Sequence, residues 1–408
     1  MTAKQKRSLA LTLILIALIQ MPTSAILPAV NKIYTEVFTD HTLSSIQTSM
    51  LLTGIMSPIS ALLMAFLIRR GVISKRAVVV FGLFLLGFVG VLAILLNRHF
   101  WCLALLSALM GCAAGCYVST ATSVLVDCFE GDECRRIAGI QAIFLGLGGA
   151  ALSVSCGFLA NTLWYGGYIV LMIAIPIGIL ALFSVPGGRL KTDKDGKEKA
   201  PRAKFNYDVL YYALAVFLLL FIFTVATGNI SVHFDNAGIR NFSTAAGFAV
   251  AVQMLGSAAF GFCFRPLSAR FGDMLIPAAF VFCAAGLTII NLCDFSLPLM
   301  YLGIAINGMS MSMLNPQCVM SVSKRVDPSN SAIAGALLHS AAPGIGAFLS
   351  PVIITNITMA IAGNSTKYRY QFTAFVALAF AAIFFFCNLY RSKKAGSEPA
   401  ELTGDDFR

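Results

Sequence analysis

Apart from cysteines and tyrosines, one titratable side chain lies deep inside an apolar stretch of this 408-residue sequence: His339, within 332–358. An imidazole titrates near pH 6.5 in water, so a histidine held away from bulk solvent suits proton coupling or pH gating. The competing use is structural, a neutral ring bonded to a backbone carbonyl or to Ser340 beside it. The apolar sequence is otherwise poor in reactive groups. It holds no His-Glu-x-x-His, no Gly-x-Ser-x-Gly and no paired aspartates, which argues against an enzyme. No cofactor is expected, and no cysteine or histidine spacing suggests a metal.

What the chain offers instead is neutral polar residues at helical spacing. Gln20, Thr23, Ser24 and Asn31 fall in a stripe about 100° wide at 100° per residue. A shift of 204 residues turns that stripe into Thr224, Thr227, Gly228 and Asp235. A shift of 197 relates Thr120 to Gln317 and Ala113 to Ser310, with Asn307 and Ser321 extending the second stripe. Polar groups in apolar helices face protein or water rather than lipid. The candidate solute-binding residues are therefore Gln20, Thr23, Ser24, Tyr117, Thr120, Thr224, Thr227, Asn307, Ser310 and Gln317. Their amides donate and accept, and Tyr117 adds an aromatic surface. Taken singly, a Ser or Thr in such a helix often does no more than bond a backbone carbonyl.

No Lys, Arg, Asp or Glu falls deep in an apolar stretch, so a fully ionised solute would lack a countercharge. A neutral, zwitterionic or amphipathic solute fits that lining, with helix N-termini as the remaining means of holding a carboxylate.

Stripes of this kind require long apolar helices. The chain is 58% hydrophobic and 12% charged, whereas soluble domains carry about 25% charged residues. Crossing a hydrocarbon core of about 30 Å takes roughly 20 apolar residues. Twelve such runs occur, at 8–30, 45–68, 76–96, 101–125, 137–160, 164–185, 208–232, 244–264, 273–293, 297–321, 332–358 and 370–390. The expected fold is an all-α membrane protein of twelve transmembrane helices. Barrel strands would be about 10 residues long with strict alternation, a pattern this sequence lacks.

The net charge of +11 could point to nucleic acid, but its distribution excludes that partner. With the N-terminus placed in the cytoplasm, 24 Lys and Arg fall on the inner side and 5 on the outer, namely Lys32, Arg98, Arg240, Lys367 and Arg369. This asymmetry predicts that both termini are cytoplasmic. Lys4, Lys6 and Arg7 before an apolar run resemble a signal peptide, yet the run is long and eleven more follow, so it counts as the first span.

The charged stretch 186–207 separates six runs from six. Four parts are expected: a six-helix bundle over 1–185, a cytoplasmic linker over 186–207, a second bundle over 208–390 and a cytoplasmic tail over 391–408. The halves repeat faintly. Ile137-Ala138-Gly139 with Gly148 returns 196 residues later as Ile333-Ala334-Gly335 with Gly344. Pro22, Pro316, Pro343 and Pro351 interrupt helical hydrogen bonding and mark hinge positions.

Six plus six helices, a basic central loop and parallel half-repeats resemble the major facilitator superfamily over essentially the whole chain. Its short motifs are poorly kept. The loop after the second span offers Arg69, Arg70, Gly71, Lys75 and Arg76, with Arg69 in place of the family's Asp. The resemblance implies that spans one, four, seven and ten line a central cavity. It also implies a cytoplasmic gate in which Asp127, with Glu130, Asp132 and Glu133, pairs with Arg69, Arg70, Arg135 or Arg136 in one conformation.

The expectation is a monomeric secondary transporter of the cytoplasmic (inner) membrane. It would move a small organic solute by alternating access, with a proton or sodium ion as candidate coupling ion and the lipid bilayer as its other partner. Proton-coupled efflux antiport is the alternative. It is weakened because Ser107 stands where such proteins keep an Arg and no acid occurs in span one. A non-transporting sensor with a transporter fold is the alternative of another class.

Overall fold

The structure, a computed structural model, describes residues 3–96, 98–129, 131–187, 208–293, 295–323 and 337–397. The side chains of Arg135 and His339 and residues 188–207 of the linker lie outside the described residues. Helix accounts for 88%, with no strand among the described residues. Apolar runs of this length leave the backbone in lipid no partner but itself, and a helix satisfies each N–H and C=O internally.

In chain order the elements are α1 (Ala3–Leu18), α2 (Pro22–Val37), α3 (Leu43–Arg69), α4 (Lys75–Leu95), α5 (Phe100–Cys128), α6 (Gly131–Leu159), α7 (Gly166–Ser184), α8 (Asp208–Asn236), α9 (Phe242–Phe271), α10 (Leu275–Leu292), α11 (Leu297–Ser323), α12 (337–362) and α13 (Thr366–Ser397). Among the described residues ten continuous runs are long and apolar enough to cross a bilayer, or eleven if α1 and α2 form one bent span. The bend between them is 53°. Pro22 and Pro28 remove two backbone donors there, so α2 proceeds through 3-10 turns before a π turn over Ile33–Val37.

One run, Phe242–Leu292, is 51 residues long. Straight, it would reach about 76 Å at 1.5 Å per residue, more than twice the hydrocarbon thickness. It folds back at Gly272, whose φ of +52° and ψ of −132° suit a residue without Cβ. Consistent with that turn, α9 and α10 lie against the same stretch of α11. A methyl added at Gly256 would fall 2.3 Å from Ala305 O, and one at Gly286 would fall 2.6 Å from Gly303 O.

The buried apolar residues form two clusters, one drawn from 9–185 with Val232, the other from 209–384. We call α1–α7 the first group and α8–α13 the second. Connections alternate between two ends. The basic end holds the start of α1, the turn at 70–74, Gly272 and Arg391; the far end holds 38–42, 160–165, 237–241 and 363–365.

Candidate functional site

The break between α1 and α2 forms one wall of a cavity of about 330 Å³. Gln20 and Thr23 from the break, Ser57 from α3, Ser119 from α5, and Ser340 and Gly344 from α12 line it. The lining is neutral and polar on an apolar frame, suited to hydrogen bonding an organic solute. At its edge α3 and α12 touch backbone to backbone: a Cβ on Gly344 would fall 2.0 Å from Gly54 O.

Towards the far end the cavity is capped by a polar layer that joins the two groups. Gln47, 2% exposed, lies in α3 just before the cavity-lining residues. Its Nε2 donates to Gly228 O at 2.7 Å and to Asn229 Oδ1 at 2.9 Å, while its Oε1 accepts from Thr355 Oγ1 at 3.0 Å. Ser44 Oγ donates to Pro351 O at 2.8 Å. Asn31 Nδ2 donates to Asp235 Oδ2 at 3.0 Å, and Asn31 N donates to Ser231 Oγ at 3.2 Å. On the other side of the bundle Ser153 Oγ donates to Gly247 O and Thr244 Oγ1 to Gly157 O, where glycines bring α6 and α9 close together.

Of the ten expected solute-binding residues, Gln20 and Thr23 line this cavity. Several others are engaged by their own helices. Ser24 Oγ donates to Met21 O, Thr224 Oγ1 to Leu220 O, Thr227 Oγ1 to Thr224 O and Ser310 Oγ to Asn307 O. Thr120 is 5% exposed within α5. Asn307 accepts from Gln253 Nε2 at 2.7 Å and turns its own amide to Cys283 Sγ. Tyr117 is fully buried, and its hydroxyl donates to Ile19 O at the α1–α2 break. It supports the bend rather than facing the cavity.

Gln317 belongs to a different network. It receives Ser268 Oγ at 2.7 Å, and its Nε2 donates to Asp273 Oδ1 at 3.0 Å. Tyr212 OH and Ser321 Oγ also donate to the Asp273 carboxylate, so one acid ties α8, α9 and α11 to the α9–α10 turn at the basic end.

In this structure the acid of the expected gate has a different partner. Asp127 is bonded to Lys75 Nζ, which also donates to Ser123 Oγ. Lys75 opens α4 immediately beside the end of α5, whereas Arg69 and Arg70 stand exposed beyond the turn. Arg70 instead lies 4.2 Å over the Phe66 ring. Arg136 is exposed, and Glu133 pairs with Lys6 at 3.7 Å. The side chains of Arg135 and His339 lie outside the described residues, though Ser340 next to His339 lines the cavity.

A charged side chain is also buried. Arg369, expected in an outer loop, is fully buried in the first turn of α13. Its Nη1 donates to Asn229 Oδ1 at 2.7 Å and its Nε to Thr358 Oγ1 at 3.1 Å. An apolar window opening at 370 passes over it, since a long side chain in a first turn can point to solvent or to protein. The sequence reading also missed Gln47 and Asn229. Matching the stripes at an offset of 204 did carry a signal for Asn31 and Asp235, which bond to each other.

Known structures share this fold. The nucleoside transporter NupG aligns over 92% of this chain and 98% of its own, at 14% identity and a TM-score of 0.70. A bacterial homolog of the human lysosomal transporter Spinster, inward-facing and occupied, aligns over 95% and 97%, at 15% identity and a TM-score of 0.70. A POT family transporter in complex with a thioalcohol conjugated peptide aligns over 93% and 96%, at 11% identity and a TM-score of 0.74. At these identities the likeness establishes the fold alone. No curated protein sequence matches the chain. The sequence model of the Major Facilitator Superfamily matches residues 9–290, well over half of the 408 residues, and the chain belongs to that family of multi-pass membrane transporters.

Proposed function

We propose that this chain is a secondary transporter that moves a small organic solute across the cytoplasmic (inner) membrane by alternating access. The observation that carries the reading is the polar layer around Gln47 and Asn31, which joins the two helix groups on one side of a cavity lined by Gln20, Thr23, Ser57 and Ser340. A cavity capped at one end between two groups that can rock apart is what alternating access requires.

In this reading the two groups are the two six-helix bundles of 1–185 and 208–390. The bent α1–α2 pair is one span, and the fold-back at Gly272 makes α9 and α10 two, giving twelve crossings. The basic end with both termini faces the cytoplasm, in line with the distribution of Lys and Arg. The structure is then an inward-facing state, closed to the outside, and the working unit is a monomer. Gln20 and Thr23 hydrogen-bond the solute, with Ser57, Ser119 and Ser340 added by the cavity.

His339 is the coupling residue in this proposal, supported by its place next to Ser340 at the cavity wall. The expected behaviour is uptake driven by a proton gradient and insensitive to sodium. His339→Gln retaining the full pH dependence would remove the coupling role.

The test is a metabolite-wide thermal-shift screen on the purified chain, because a ligand of the folded state stabilises it by RT ln(1 + [L]/Kd). Stabilising compounds are then followed for flux into proteoliposomes. Flux of a stabilising compound supports transport; binding without flux in either direction favours a sensor.

A further inference from the structure

Arg369 is fully buried, and among the described residues no carboxylate lies within ion-pair distance of it. Two far-end acids are engaged elsewhere, Asp235 by Asn31 and Glu36 by Lys32. Two of its nitrogens bond to the neutral oxygens of Asn229 and Thr358, and Nη2 has no hydrogen-bond partner. Removing a guanidinium from water without a countercharge is costly, and leaving one of its donors unused adds to the cost. A cation retained only to tie α8, α12 and α13 together would be replaced at lower cost by a neutral amide. The arrangement instead leaves one arm of a fork-shaped donor unclaimed, and that fork is the geometry that carboxylates and phosphates match.

Its position connects it to the closure of the far end. Asn229 Oδ1 accepts from Arg369 and, from the other helix group, from Gln47, which also holds Thr355. Separating the groups at the far end must withdraw Gln47 from Asn229. That takes away the competing donor on the Asn229 oxygen that Arg369 uses and frees Asn229 to shift.

We propose that Arg369 is an anion-recognition group uncovered when the far end opens, and that the solute carries a carboxylate or phosphate. This rests on the transport reading and narrows its substrate class from neutral and zwitterionic molecules to those with an anionic group. When the far end closes, Gln47 returns to Asn229 and Arg369 is again covered, so release towards the basic end accompanies loss of the anion's access to the guanidinium.

The test uses the full chain in detergent and a thermal-shift panel of matched pairs: carboxylic acids with their primary amides, and phosphate monoesters with their parent alcohols. Acids of one arm stabilise the wild type, and their neutral partners bind about tenfold more weakly or worse. The arm that responds identifies carboxylate or phosphate. Arg369→Gln abolishes the difference. Asn229→Asp does the same by placing an internal carboxylate on the guanidinium, and the new ion pair offsets the lost Asn229 Nδ2 bond to Val225 O so that the chain stays folded. Arg369→Lys, which keeps the charge and loses the fork, recovers only part of the affinity.

Neutral partners binding as well as the acids overturns the proposal. So does an affinity unchanged in both Arg369→Gln and Asn229→Asp, or a panel in which no acid stabilises the chain. Uptake of a neutral solute into proteoliposomes by Arg369→Gln at the wild-type rate defeats this inference and leaves transport standing. Acid binding lost in both variants, with no flux of any stabilising compound, defeats transport and leaves the anion site standing.

Discussion

Asn31 and Asp235 stand 204 residues apart, at matching places in the two helix groups, and bond directly to each other, amide to carboxylate at 3.0 Å. In the proposed two-bundle reading equivalent positions meet only near the axis that relates the bundles, and this pair would then mark where the groups turn against each other at the far end. Asp235→Asn exchanges a charge-assisted bond for a neutral one. The closed far end should lose about 1 kcal/mol, a roughly fivefold population shift towards the open form. Spin-label distances across the far end, or alkylation of a cysteine placed beneath it, report that shift. An unchanged distance distribution would show that the pair is incidental to closure.

Gln47 is the stronger latch, because one side chain makes three bonds to the second group and is almost wholly buried. Gln47→Leu keeps the volume but leaves Asn229, Gly228 O and Thr355 facing an apolar group. A loss of about 2 to 4 kcal/mol in the closed state follows from the orphaned partners. The same labels used for Asp235 should show the far end predominantly open. Arg369 should become reactive towards phenylglyoxal in the same protein.

The apolar runs made the helical membrane fold legible, because length and hydropathy alone dictate helices in lipid. The polar stripes told less. In Ser24, Thr224, Thr227 and Ser310 the hydroxyl reaches back to its own helix, an outcome local in sequence and indifferent to which face is wet. Amides carry a donor and an acceptor, and Gln47, Asn229, Asn307 and Gln317 each reach a neighbouring helix, although Asn229 Nδ2 also bonds Val225 O in its own. Which neighbour they reach depends on packing between spans far apart in the chain, and a single sequence leaves that unspecified. Arg369 was hidden for a related reason: its helix begins four residues before the apolar window does.

At the basic end, a double-mutant cycle should assign the partner of Asp127. Lys75 and Asp127 touch, with the carboxylate side chain 40% exposed. A coupling of about 0.5 to 1 kcal/mol is expected between Lys75→Met and Asp127→Asn, and close to none between Arg69→Met and Asp127→Asn. Thermal stability is the readout. Coupling with Arg69 in place of Lys75 would restore the original gate pairing.

Gln317 should behave as a structural residue rather than a solute ligand. Gln317→Leu removes a donor from the Asp273 carboxylate and an acceptor from Ser268 Oγ, both part of the junction at Gly272. Stability should fall by about 1 to 3 kcal/mol. The KM of transport should stay within about twofold, because the side chain is committed to Asp273 and lies outside the Gln20–Thr23 cavity. A rise in KM without loss of stability would return Gln317 to the solute site.

Gly54 and Gly344 offer the sharpest steric test, since the atoms opposing a new methyl are backbone and cannot rotate away. A Cβ on Gly344 would sit 2.0 Å from Gly54 O, and one on Gly54 would sit 2.5 Å from Gly344 O. Ordinary contact requires α3 and α12 to separate by roughly 1 Å. Those two helices carry Gln47 and Thr355, so the same displacement stretches the bond between them. Gly344→Ala should therefore loosen the far end as well as slow transport. Its effect on closure should be less than additive with Gln47→Leu, because both act on one equilibrium. Full additivity would mean that the glycine contact fixes the cavity wall without taking part in closure.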